Sequence, residues 1–283
     1  MNTKTSSKSE LDRRPKYTDF LDQFVNRTSL GLVLGLVFFF LWLPLVVIVI
    51  YSFSGSGTII FPPKTWTLKY YWGLLNAPSI HGAVKNSLII AVTAASIVTM
   101  LGILAGYALN KYNVPGKRYF ESIALLPIIV PLIITGIGYV IFYSFFEIQF
   151  GMGTTIIAHS TYTFPFGVII ITSSIARVDR SLEEAAMDLG SSEFRVFRKV
   201  TLPLIVPGIF ATWILAFTLS LNEFVITYFV SGTFMSTLPI WMWDQLRFGV
   251  TPLTYSISAV TLFVALGLVY AVHRVIGVQQ IRG

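Results

Sequence analysis

Long apolar segments alternate with short polar ones along most of this chain. With a window of about 20 residues, the length of a helix that spans a bilayer, six segments are apolar enough to be membrane spans. They are Leu30–Phe53, Asn86–Leu109, Phe120–Phe146, Thr154–Ile175, Leu202–Val230 and Tyr255–Ile276. The pattern predicts an all-α polytopic membrane protein with six transmembrane helices in residues 30–283, preceded by a polar tail over residues 1–29.

The composition agrees with a membrane protein, since 54% of the 283 residues are hydrophobic and 12% are charged. The chain has no cysteine, which excludes a disulfide framework, an iron–sulfur cluster and a thiol nucleophile. The net charge of +7 does not indicate nucleic-acid binding, because the charges are confined to short segments between apolar runs.

The basic residues predict how the spans are oriented, because Lys and Arg in short loops collect on the cytoplasmic side. If both termini are cytoplasmic, 16 of the 20 basic residues lie inside, and those left outside are Lys64, Lys69, Lys85 and Arg247. This asymmetry places the most highly charged loop between spans, residues 177–203, in the cytoplasm.

That loop has the pattern of two short helices joined by a glycine. Ser181 and Glu184 have the spacing of a capping box, which predicts a helix start at Ser181. This helix has an apolar stripe of Leu182, Ala185, Ala186 and Leu189 and an acidic flank of Glu183, Glu184 and Asp188. Gly190 is expected to end the helix in a left-handed conformation. A second amphipathic stretch follows and leads through Leu202 and Pro203 into the fifth span.

Two interpretations of this loop fit its periodicity. An amphipathic loop can rest on lipid headgroups, or it can be a plug that fits a socket in a partner protein. Anionic lipid repels an acidic helix, and the small side chains of Ala185 and Ala186 allow a close approach. These two properties favour the protein socket.

The loop also resembles a known motif. Glu184-Ala185-Ala186, three residues, Gly190, nine residues, Val200, one residue and Leu202-Pro203 match the order and spacing of the EAA motif in permease subunits of ATP-binding-cassette (ABC) importers. The segments SLEEAAMDLGSSEF, AHSTYTFPF and AFTLSLNEFVITYFVSG are similar to the second permease subunit of spermidine/putrescine importers. The resemblance extends from about Leu30 to the C-terminus.

This resemblance implies a type I ABC importer permease fold (MetI-like) in the bacterial cytoplasmic (inner) membrane. It implies two ATPase subunits, a second homologous permease in a heterodimer and an extracytoplasmic solute-binding protein as partners. The substrate it implies is a polyamine such as spermidine or putrescine. Opines, amino-acid-like solutes and quaternary amines are alternatives, as is an ATP-independent channel or facilitator.

By the same resemblance, the helix from Leu182 to Leu189 is the coupling helix that contacts the ATPase. The residues implied in coupling are Glu183, Glu184, Ala185, Ala186, Asp188, Leu189, Gly190, Leu202 and Pro203. ATP and Mg²⁺ are expected on the ATPase partner, and no cofactor is expected in this chain. The stretch 115–118, Pro-Gly-Lys-Arg, lacks the glycine pattern and the Ser or Thr of a phosphate loop. We predict no catalytic residue and no metal site.

Three polar residues inside the spans are candidates for the substrate path, because polar groups are costly in a bilayer. Glu223 is either a partnered carboxylate at a helix end or a contact for substrate. Polyamine permeases often have two acidic residues in this segment, and here the first is Asn222. His159 is either a neutral, hydrogen-bonded histidine or a transport residue.

Prolines and glycines predict local features of the helices. Pro127 and Pro131 should kink the third span. The pairs Gly31–Gly35 and Gly102–Gly106 have the Gly-x-x-x-Gly spacing that allows close contact between helices.

Overall fold

The computed structural model describes residues 27–56, 60–113, 115–233 and 235–280, and this part of the chain folds as a bundle of helices. Residues 1–26 of the predicted tail lie outside the described residues. The helices are α1 (Arg27–Ser52), α2 (Lys69–Leu74), α3 (Pro78–Lys111), α4 (Lys117–Ile129), α5 (Leu132–Phe145), α6 (Met152–Ala176), α7 (Arg180–Asp188), α8 (Glu193–Val196), α9 (Leu202–Leu221), α10 (Val225–Val230), α11 (Leu238–Phe248) and α12 (Pro252–Gln280). A π-helical turn, Phe197–Thr201, joins α8 to α9.

Five helices of the described chain are long and apolar enough to cross a membrane. They are Leu30–Ser52, Pro78–Lys111, Met152–Ala176, Glu193–Leu221 and Pro252–Tyr270. They confirm the first, second, fourth and sixth predicted spans and most of the fifth. The fifth span begins earlier than predicted, because α8, the π-helical turn and α9 form one continuous helix.

The third predicted span, Phe120–Phe146, is not a single helix. It consists of α4 and α5, whose axes are bent by 105° at residues 130–131. Pro131 has no backbone N–H and restricts the residue before it, and Val130 has the extended backbone (ψ 128°) that this restriction favours. Counted as one span, the bent pair gives the predicted total of six.

The fifth predicted span, Leu202–Val230, is also interrupted. Residues 222–224 are not helical, and they separate α9 from the short helix α10. The predicted span is therefore made of two helices, with a break at residues 222–224. A side chain inside the break, described below, replaces the backbone bonds that the helix loses there.

Glycines bring α3 and α6 into close contact. A Cβ added at Gly106 would lie 2.9 Å from the side chain of Ile171, and one at Gly102 would lie 3.1 Å from the backbone of Gly167. This confirms one of the two predicted contacts. At Gly31 and Gly35 an added Cβ would meet no described atom of this chain within 4 Å, so that pair makes no such contact within the described chain.

The two glycine pairs give a first prediction. We expect Gly106→Val to lower the free energy of unfolding by about 1–3 kcal/mol, because the larger side chain overpacks the α3–α6 contact. The matched change Gly35→Val should leave it unchanged, since the space there is open. Thermal unfolding of the purified chain in detergent measures both, and equal losses for the two variants would contradict the packing argument.

The first helix lies at the outside of the bundle. None of the residues in its most apolar stretch is buried, so its side chains are available to lipid or to another protein. Its end is tied to α12, where Ser256 Oγ donates a hydrogen bond to the carbonyl of Ser52 at 3.1 Å. One of the buried clusters of the core lies between α3 and α9 and includes Ala95, Val98 and Phe217.

Candidate functional site

The start of α7 is capped by a residue that the sequence did not indicate. The carboxylate of Asp179 accepts a hydrogen bond from the backbone N–H of Ser181 at 2.9 Å. The predicted capping box of Ser181 and Glu184 is therefore wrong, because the helix starts one residue earlier, at Arg180. The same N–H holds the pKa of Asp179 below its usual range. The cap thus contributes to stability above the unfolded-state pKa of Asp179 and is lost as the pH falls through its lowered value.

The end of α7 confirms the predicted glycine cap. Gly190 has a left-handed backbone with φ of 82°. The backbone N–H of Ser191 donates to the carbonyl of Ala186 at 3.1 Å, and that of Gly190 donates to the carbonyl of Met187 at 2.8 Å. These two bonds form a Schellman motif, which satisfies carbonyls at a helix end. The turn therefore fixes the angle between α7 and α8.

Most of α7 faces away from the bundle. Leu189 is 88% exposed, and Leu182, Ala185 and the carboxylates of Glu184 and Asp188 are also exposed. Exposed leucines beside small and acidic residues form a surface that another protein can cover. Three of the four residues of the predicted stripe and most of the predicted flank are thus exposed on the outer surface of the loop, whereas Ala186 is half-buried.

Glu183 departs from the predicted flank, because it is only 3% exposed. Its carboxylate forms an ion pair with the ammonium group of Lys111, at the end of α3. It also accepts a hydrogen bond from the hydroxyl of Thr201, in the π-helical turn. Consecutive residues of a helix point about 100° apart, so Glu183 faces the bundle while Glu184 faces outward. No local pattern indicates Lys111 or Thr201 as partners, since they lie 72 and 18 residues from Glu183 along the chain.

Further contacts join the loop to the same end of α3. They are Arg180 Nη2 to the Asn110 carbonyl at 3.3 Å, Tyr112 Oη to Glu193 Oε2 at 3.2 Å, and the rings of Tyr107 and Phe197 at 4.8 Å between centroids. Together with the ion pair, these contacts hold both helices of the loop against the bundle.

Leu202 and Pro203 lie at the start of α9, directly after the π-helical turn. Leu202 packs against a buried cluster that includes Ile171 and Ile205. Pro203 directly follows the π-helical turn, inside the continuous helix, where its missing N–H removes one backbone hydrogen bond. The two residues therefore join the loop to the fifth span without an interruption of the helix.

A second polar cluster fills the break between α9 and α10. The carboxylate of Glu223 accepts hydrogen bonds from the backbone N–H groups of Ile226 at 2.7 Å and Thr227 at 2.9 Å. His159 contacts this carboxylate at 3.3 Å through Nε2, and its Nδ1 is 2.7 Å from the hydroxyl of Ser220. Glu223 therefore caps α10 and replaces backbone bonds that the broken helix lacks.

The structure brings two of the three substrate-path candidates together and leaves the third apart. Glu223 is 5% exposed and His159 is 1% exposed, which favours the interpretation of both as partnered structural groups. Asn222 is exposed and lines a cavity of about 280 Å³ beside Phe224 and Trp243. Of the three candidates, Asn222 alone is open to a solute in this conformation.

Known proteins share the sequence pattern of the region that contains these two clusters. Residues 98–279, which include the whole loop and both clusters, match the family described as "Binding-protein-dependent transport system inner membrane component". This chain belongs to that family. The permease is thus a multi-pass inner-membrane protein. Its relatives are transport subunits, which are not enzymes.

Two curated relatives of the permease come from Escherichia coli strain K12. The spermidine/putrescine transport system permease protein PotC is 31% identical over 87% of this chain and 93% of its own length. The putrescine transport system permease protein PotI is 36% identical over 78% of this chain and 81% of its own length. Both matches extend well beyond the loop that carries the motif.

The fold of the permease is found among solved structures as well. One chain of a bacterial ABC transporter involved in the import of the acidic polysaccharide alginate superposes with a TM-score of 0.69. The alignment covers 91% of this chain and 97% of that one at 15% identity, which shows a shared fold. The expected type I ABC importer permease fold is therefore confirmed.

Proposed function

We propose that the permease is one of two homologous transmembrane subunits of an ABC importer that takes up a polyamine such as spermidine or putrescine. The observation that supports the transport mechanism is the position of helix α7. The helix is exposed on one side, held rigidly by its caps and packed against the bundle on its other side. The observation that supports the substrate is the similarity to PotC and PotI over most of the chain.

In this proposal α7 is the coupling helix. Leu182, Ala185 and Leu189 enter a groove of an ATPase subunit, and Glu184 and Asp188 meet basic groups at its rim. Because ATP and Mg²⁺ are bound by the ATPase pair, this chain needs no cofactor of its own. Closure of the ATPase dimer moves α7, and the bundle changes between outward-open and inward-open states.

The remaining partners lie beside and above this chain. A second, different permease completes the path, and an extracytoplasmic binding protein delivers the substrate. Both termini are cytoplasmic, because this orientation leaves few Lys and Arg residues outside. Asn222 stands where a second carboxylate would suit a polyamine, and this favours another small amine as the second candidate substrate.

The test of the proposed function is uptake by intact cells. Labelled spermidine and putrescine are supplied to cells that lack this chain and to the same cells with the chain restored. We expect restored uptake that stops when ATP is depleted. If the ATPase subunit co-purifies with the chain but restoring the chain does not increase uptake, the proposed substrate is wrong and the assignment to an importer remains. If no ATPase subunit co-purifies under gentle solubilisation, the importer assignment fails.

A further inference from the structure

A buried carboxylate fixes the position of α7 on the bundle. Glu183 belongs to a helix that otherwise faces water, yet its side chain is 4% exposed and that of its partner Lys111 is 24% exposed. The hydroxyl of Thr201 is fully buried on the second carboxylate oxygen. A buried charge is costly unless it is paired and hydrogen-bonded. The arrangement therefore favours one position of α7 relative to the end of α3.

The polar contacts around Glu183 continue from α3 to α6. The side-chain amide of Asn110 donates to the Thr172 carbonyl on α6 at 3.2 Å and to the Gly106 carbonyl on α3 at 2.8 Å. The carbonyl of Asn110 itself accepts from Arg180 on α7. At the same end of the bundle, Gly106 allows the backbones of α3 and α6 to touch. Three helices thus meet at one polar joint.

We propose that Lys111 is a positioning residue for the coupling helix. Its ion pair with Glu183 makes α7 move as one body with the α3–α6 pair, in addition to the covalent path through α8 and α9. The inference rests on the proposed function, in which α7 contacts the ATPase. It extends that function, because the second and fourth spans receive the motion of the coupling helix directly.

Charge reversal tests the pair. The variants are Lys111→Glu, Glu183→Lys and the double variant, each in the complete importer reconstituted in proteoliposomes. We expect each single change to lower the amount of substrate imported per ATP hydrolysed by about 3- to 30-fold, the range of coupling effects from residues within a network. The double variant should return to within about twofold of the original value, because the pair is restored with reversed charge.

The control is Arg118→Glu, a charge reversal at an exposed position on the same predicted side of the membrane. It should leave the ratio of import to hydrolysis unchanged. A double variant that assembles but is as poorly coupled as the single variants would overturn the proposal.

Cross-linking tests the same point without charge reversal. Because the chain has no cysteine, Lys111→Cys with Glu183→Cys creates one reactive pair for a short bifunctional methanethiosulfonate reagent. We expect the untreated pair to be poorly coupled, the cross-linked pair to regain coupling to within about twofold of the original, and reduction to reverse the gain. The single-cysteine variants treated with the same reagent are the controls. If the cross-link stops import, α7 and α3 separate during the cycle and the proposal is wrong.

The behaviour of the importer with the unchanged chain distinguishes failure of this inference from failure of the proposed function. If it contains no ATPase subunit or does not import, the proposed function fails and the inference fails with it. If it imports normally and only the charge-reversed and cross-linked variants depart from the expected pattern, the inference alone fails.

Discussion

Replacing Gly190 with valine is expected to abolish uptake while the chain stays in the membrane. The backbone at Gly190 is left-handed, which costs an ordinary residue about 1–2 kcal/mol and a β-branched residue more. An added Cβ would meet no described atom within 4 Å, so the effect is conformational rather than a clash. The Schellman turn relaxes, α7 changes its angle to α8, and uptake falls to the background of cells that lack the chain.

The control for this variant is Gly190→Asn, because asparagine adopts the left-handed conformation more readily than most residues. Uptake should be largely retained in Gly190→Asn and lost in Gly190→Val at equal membrane levels, as judged by immunoblot. Normal uptake by the valine variant would remove the coupling role from this turn.

Replacing Glu223 with glutamine is expected to lower the free energy of unfolding by about 1–3 kcal/mol, the cost of an unsatisfied buried polar group. Both carboxylate oxygens accept backbone N–H groups of α10. Glutamine keeps one acceptor oxygen and turns an NH₂ group toward a donor. The start of α10 and the contact with His159 should therefore loosen together. Thermal unfolding of the purified complex measures the loss.

The matched control is Asn222→Ala, at the exposed neighbouring position, which should change stability by less than about 0.5 kcal/mol. Uptake separates the two interpretations of Glu223. If Glu223→Gln unfolds at the original temperature and yet imports a cationic substrate poorly, Glu223 contacts substrate and the structural interpretation fails.

The parts of this fold that could be predicted depend on local sequence. Apolar length is enough to locate Pro78–Lys111 and Met152–Ala176, because a bilayer requires about 20 apolar residues whatever the neighbours are. The glycine cap at Gly190 was predictable for a similar reason, since glycine is the residue that adopts a left-handed conformation at little cost.

The parts that could not be predicted depend on distant partners. Glu183 and Glu184 are equivalent in the sequence, and only the position of Lys111 at the end of another helix decides which of them is buried. Proline predicted a kink near Pro131, but the local pattern does not give the size of the bend, which is 105°. Glu223 was recognised as unusual, although its role as the cap of α10 required knowledge that the span breaks there.

In the proposed mechanism, the continuous helix from Glu193 to Leu221 acts as a lever. With 29 residues and a rise of about 1.5 Å per residue, it is about 43 Å long, which exceeds the hydrocarbon core of about 30 Å. A tilt of about 5° about one end displaces the other end of such a rod by about 4 Å. In that mechanism, a small tilt at the loop end of the helix becomes a larger displacement at Asn222, where the helix ends.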